Sequence, residues 1–147
     1  MARILIVEEN PFFADVLACT LALEGHRVAT VHSAGEGVSR GLANHPDVVV
    51  AAWRLKGDIH GGEVCRRIHA AWPNVKSIVI TGHQECEFEA GQYCECVATV
   101  LVKPFHREEI LEAVRRALVG EMVFASAHLP IPQFAGQDNS RHLLNLR

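Results

Sequence analysis

Five short apolar runs punctuate the chain, at residues 3–7, 27–31, 48–51, 77–80 and 99–102. They lack the polar alternation of a strand with one face in water, and read instead as strands covered on both sides. Between them apolar positions recur at helical spacing, bounded by start and stop residues. Asn10 and Pro11 cap and open a helix whose expected inner face is Phe12, Val16, Thr20 and Leu23, ending at Gly25. Ser33 with Glu36 is a capping-box signature ahead of a second helix, expected to turn Val38 and Leu42 inward. A third follows Gly61 and Gly62, with Val64, Ile68 and Ala71 inward, and stops before Pro73. The fourth, around residues 85–96, is interrupted by Gly91. The fifth carries Ile110, Leu111, Val114 and Leu118 inward and stops at Gly120.

Strand and helix thus alternate five times with short links, the pattern of an α/β fold. The expectation is a (βα)5 unit: a doubly wound, parallel five-stranded sheet with helices on both faces. Such sheets bind ligands at the carboxyl ends of their strands. The residues there are Glu8 and Glu9, Ala52 and Trp53, Thr81, and Lys103, so two acids, a hydroxyl and an ammonium converge on one edge.

The segments Val7-Glu8-Glu9-Asn10-Pro11, Ile80-Thr81-Gly82-His83 and Leu101-Val102-Lys103-Pro104-Phe105 resemble three conserved blocks of response-regulator receiver domains, the CheY-like domains of two-component systems. The stretch from Pro46 to Glu63 resembles the block around the phosphoacceptor. The resemblance runs from about Ala2 to Gly120, with the four blocks in order on the expected strand ends. It implies the flavodoxin-like strand order 2-1-3-4-5. It also implies that Glu8 and Glu9 match an acidic pair that helps hold Mg²⁺, Thr81 the hydroxyl that bonds a phosphoryl group, and Lys103 the lysine that neutralises it. The Lys103–Pro104 bond is cis in such relatives.

The departures from the pattern decide the functional expectation. The acceptor position falls on Ala52, whose methyl group can neither attack a phosphodonor nor ligate a metal. Losing that carboxylate weakens a site that relies on carboxylates, phosphate oxygens and water, and Glu9 adds a methylene where most relatives have aspartate. Mg²⁺ is therefore expected to bind weakly or not at all, and no other cofactor is expected. Val100 stands at the switch position where relatives carry Tyr or Phe, Lys56 replaces a usual proline, and His60 replaces a common aspartate. Together these read as a degenerate pseudo-receiver. In its emptied pocket Lys103 is expected to reach Glu8 or Glu9 and hold one conformation.

Composition narrows the rest. At 147 residues the chain fits one domain, with residues 1–120 as the receiver-like unit and 121–147 as a tail too short for an output domain. A net charge of −3 without a basic cluster gives no reason to expect nucleic-acid or membrane binding. No apolar stretch approaches a membrane span, and five unevenly spaced cysteines fit a reducing compartment, so a cytoplasmic protein is expected. His83, Cys86, Cys94 and Cys96 match no zinc pattern, and a helix would point Cys94 and Cys96 apart. Asp58 and His60 read as exposed loop residues, not as substitute acceptors. In the tail, Met122, Val123, Phe124, Leu129, Ile131 and Phe134 are expected to cover the domain's own surface.

The expected function is that of a single-domain atypical response regulator, not an enzyme. It would act in phosphorelay signalling by phosphorylation-independent contact with a histidine kinase, a phosphotransfer protein, another regulator or a second copy. The alternative is a small-ligand or metal sensor that uses the acidic pocket.

Overall fold

A computed structural model describes residues 1–120, and the tail and its expected apolar contacts lie outside the described residues. The element order is β1 (Arg3–Val7), α1 (Pro11–Ala22), β2 (Arg27–Val31), α2 (Ala34–Asn44), β3 (Val48–Ala52), α3 (Gly61–Ala71), β4 (Lys76–Thr81), α4 (Glu87–Gln92), β5 (Val97–Val102) and α5 (Arg107–Leu118). All neighbouring strands run parallel, in the order β2-β1-β3-β4-β5. The doubly wound (βα)5 sheet expected from the apolar runs is therefore present.

The continuous apolar strands follow from burial on both sides. Ile4, Ile6, Val48, Val50, Ile78 and Ile80 point to one core with Phe13 and Leu17 of α1 and Ile110 and Val114 of α5. Leu5, Val7, Val49, Ala51 and Val79 point to the other, with Val64, Cys65 and Ile68 of α3. Successive strand residues thus enter different cores, and each buried aliphatic side chain contributes roughly 1.5–3 kcal/mol.

Local chemistry explains the helix ends. Asn10 Oδ1 accepts hydrogen bonds from the backbone N–H groups of Phe12 and Phe13 at 3.0 and 3.1 Å, and Pro11 needs no such partner. Ser33 Oγ accepts from Glu36 N at 3.2 Å, but the Glu36 carboxylate accepts from His32 N and not from Ser33 N, so the capping box is shifted by one residue. A Cβ on Gly41 would come within 2.3 Å of Ile68 Cδ1, so a glycine lets α2 approach α3 closely.

Several expected inner faces are displaced. In α1 the buried residues are Phe13, Ala14, Leu17, Thr20 and Leu21, whereas Phe12 and Leu23 are exposed. The helix is apolar nearly all round, so periodicity cannot say which side faces the sheet. In α2 the small residues Ala34, Gly37 and Gly41 face inward, Val38 is half-buried and Leu42 is exposed. Ala71 and Leu118 are exposed too, while Cys65, Ala113 and Ala117 take inner positions. Where helices sit close to a sheet, small residues form the contact and larger ones lie at its margin. The fourth helix is the short α4, preceded by a 3₁₀ turn at Gln84–Cys86, and it ends before Cys94.

Candidate functional site

The parallel register brings the strand ends together. Val7 pairs with Ala51, Ala52 with Ile80, and Thr81 with Val102, so Glu8, Ala52, Thr81 and Lys103 meet at one edge of the sheet. Ala52, 8% exposed, ends β3 in the middle of this edge. The carbonyl behind it lies where a Cβ on Gly61 would come within 1.9 Å, so glycine is required for α3 to start there.

Glu8 is buried. Its Oε2 accepts a hydrogen bond from Asn10 N at 2.9 Å, and its Oε1 lies 3.7 Å from Lys103 Nζ with no hydrogen-bond partner. Lys103 Nζ also lies 3.9 Å from the centroid of the Phe13 ring, a cation–π contact. The ion pairing that the sequence left open between two glutamates thus falls on Glu8, while Glu9 beside it is half-exposed. The Lys103–Pro104 bond is cis.

Thr81 is buried, and its hydroxyl is occupied within its own loop: it accepts from His83 N at 3.1 Å and donates to His83 O at 3.3 Å. Val100 is buried under α4, with Gly91 passing directly above it. The valine side chain does not reach the surface.

Two carboxylates are within the number Mg²⁺ uses beside phosphate oxygens and water, but Glu8 is already engaged by Asn10 N and Lys103, so the side chains present suit the ion less well than a site with a third carboxylate. At most two carboxylates stand at this edge, the cation beside Glu8 is a lysine, and Ala52 supplies no oxygen from its side chain. Among the described residues no three His, Cys, Asp or Glu side chains converge to hold a metal ion.

A second cluster adjoins this edge, and sequence reasoning missed it. The Trp53 indole, buried, stacks on the His60 ring with centroids 4.0 Å apart and 19° between planes, and Tyr93 meets both rings edge-on. His60 is therefore half-buried rather than an exposed loop residue, and its Nδ1 accepts from Glu63 N at 3.2 Å to cap α3. Asp58 is exposed, as expected. The Tyr93 hydroxyl donates to Glu63 Oε1 at 2.6 Å, and Arg66 and Arg67 bind the same carboxylate at 2.6 and 2.9 Å. Arg66 first, then Tyr93 and Arg67, hold the Glu63 carboxyl well below the usual carboxylate range. The Tyr93 hydroxyl is pushed up in turn, chiefly because it donates to that carboxylate. This aromatic and acidic clasp ties the start of α3 to the residue that ends α4. The only sequence signal for it was Glu63 followed by arginines at helical spacing.

Cys94 and Cys96 are also placed differently from expectation. They lie on a turn after α4, not within a helix, and their sulfurs approach to 2.7 Å.

A family model described as response regulator receiver domain matches residues 4–115. The chain is 32% identical over 116 residues to the C4-dicarboxylate transport transcriptional regulatory protein DctD of Pseudomonas aeruginosa, a match covering 79% of this chain and 25% of that protein. It is 29% identical over 118 residues to the response regulator ArlR of Staphylococcus aureus, covering 80% of this chain and 53% of that one. The chain thus spans between a quarter and about half the length of these relatives. Similar solved structures include a CheY-like receiver domain protein from Methanospirillum hungatei, at a TM-score of 0.73 and 25% identity, covering 81% of this chain and 94% of that one. Another is the response regulator TrrA from Thermotoga maritima in complex with Mg(2+)-BeF, at 0.73 and 25%, covering 80% of this chain and all of that one.

Proposed function

The chain belongs to the response regulator receiver domain family, and on that premise we propose that it is a pseudo-receiver whose phosphoacceptor position is held by Ala52. Its setting is two-component signalling. In this reading it transmits by binding rather than by aspartyl phosphorylation. The observation that carries the reading is the methyl group of Ala52 at the end of β3, between Glu8 and Thr81, where a receiver needs a nucleophilic carboxylate.

The neighbouring side chains support it. Lys103 is engaged with Glu8 and Phe13, and Thr81 with its own loop, so the groups that would greet a phosphoryl group have other partners. The partner class is a histidine kinase, a phosphotransfer protein or another regulator, met in the cytoplasm through the receiver unit of residues 1–120. Among the described residues no helix is long and apolar enough to cross a membrane.

The test is intact-mass spectrometry after incubation with acetyl phosphate and Mg²⁺, run beside an Ala52→Asp variant. The expected result is no phosphoryl adduct on the parent chain. A stable adduct on the parent, mapped to Asp58, His60 or any other side chain, would overturn the reading.

A further inference from the structure

Cys94, Glu95 and Cys96 form a turn closed by the Val97 N–H, which donates to the Cys94 carbonyl at 3.0 Å. The turn folds both thiols to one side. Cys96 Sγ donates to Cys94 Sγ at 2.7 Å, and the Cys96 backbone N–H reaches the same sulfur at 3.4 Å. Cys94 is half-buried and Cys96 buried, so a small reagent from solvent meets Cys94 first, with Cys96 standing behind it. A disulfide bond is about 2.04 Å long, so only a small movement separates this contact from a covalent bridge.

We propose that Cys94 and Cys96 are a redox-reactive pair that closes to an intramolecular disulfide when a hydroperoxide reaches Cys94. The Cys94 thiolate attacks the terminal peroxide oxygen. The O–O bond breaks, an alcohol leaves after taking a proton, and Cys94 becomes a sulfenic acid. The Cys96 sulfur then attacks Cys94 Sγ. An S–S bond forms, the S–O bond breaks, and the hydroxyl departs as water with the Cys96 proton. The two thiols lose two electrons and two protons between them, and one hydroperoxide is reduced to an alcohol and water.

The three other thiols differ in exposure, and half-buried Cys86 packs against the same apolar cluster as Cys94. Cys65 is fully buried on the inner face of α3, out of reach of a reagent from solvent. Cys19 is exposed on α1, on an element far along the chain from the turn, and serves as an internal comparison. A thiol oxidised alone gains oxygen, whereas a bridging pair loses hydrogen. The bridge would tie the link between α4 and β5 immediately after Tyr93, the outer end of the clasp on Glu63.

The experiment uses the full chain, freshly reduced, treated with one equivalent of tert-butyl hydroperoxide under native conditions and quenched with N-ethylmaleimide before digestion and mass spectrometry. The expected product has lost two hydrogens, carries the bridge within the Cys94–Cys96 peptide, and returns to the parent mass with dithiothreitol. Cys94→Ser, a change at a half-buried position, should abolish the loss, and Cys19→Ser should leave it intact. Recovery of both Cys94 and Cys96 as maleimide adducts after oxidant would overturn the proposal. So would an undiminished bridge in the Cys94→Ser chain, or a bridge that disappears with Cys19→Ser.

Discussion

The chain parts company with itself at the end of β3. Ala52 looks onto an edge where one ion pair at 3.7 Å and one carboxylate oxygen without a hydrogen bond are the main polar features. Trp53, the next residue, enters a clasp in which two rings stack, a third closes on them edge-on, and one carboxylate receives three side chains. The first region is sparsely hydrogen-bonded, whereas the second is filled and hydrogen-bonded. The clasp joins α3 to the residue that follows α4 without using Glu8, Thr81 or Lys103. Breaking either region costs stability, the clasp through a buried indole and the strand-end edge through a Glu8 carboxylate that is itself buried.

The strongest way to break that comparison is to remove the clasp's centre. Trp53→Ala is expected to cost about 3–5 kcal/mol in urea unfolding, because it deletes a buried indole and the stacking surface of His60 together. An effect no larger than that of a surface substitution would show that the clasp holds nothing. Lys103→Ala should come next, at about 3 kcal/mol, since it leaves the Glu8 carboxylate buried without its cation and exposes Phe13. If Lys103→Ala exceeds Trp53→Ala, the ranking of the two regions is reversed.

Glu63→Gln should cost about 1–2 kcal/mol near neutral pH, through two largely exposed arginine pairs and one tyrosine hydrogen bond. Its pH dependence sharpens the test. The folded-state pKa of Glu63 is lowered, so its stabilisation is fully present above the ordinary carboxylate value of about 4.3 and is lost as pH falls from there towards the lower folded value. The stability gap between parent and Glu63→Gln should therefore narrow in acid, as read by unfolding curves at successive pH values. The smallest effect is expected from Thr81→Val, about 1 kcal/mol, because its hydroxyl serves only its own loop.

The legibility of the sequence differed between the same two regions. The strand-end edge could be read because each of its residues directly follows an apolar run of the sequence, and parallel register then brings Glu8, Ala52, Thr81 and Lys103 together. The clasp could not, because Tyr93 and Glu63 lie thirty residues apart on elements whose meeting depends on helix packing. Its outer partner also follows α4, a helix much shorter than the expected span of residues 85–96. The same shortening changed Cys94 and Cys96 from opposite faces of a helix to neighbours on a turn. In α1 the Asn10 cap was legible but the inward face was not: Phe12 and Phe13 are equally apolar, and only the sheet's position decides that Phe13 is the buried one.

The central claim is that the pocket around Ala52 does not respond to phosphoryl chemistry. Its most direct test is an amide NMR titration of the parent chain with beryllofluoride and Mg²⁺, with Ala52→Asp as the comparison. The account predicts unmoved resonances for Glu8, Thr81, Val100 and Lys103 in the parent. Saturable shifts at those residues, spreading to α4, would contradict it.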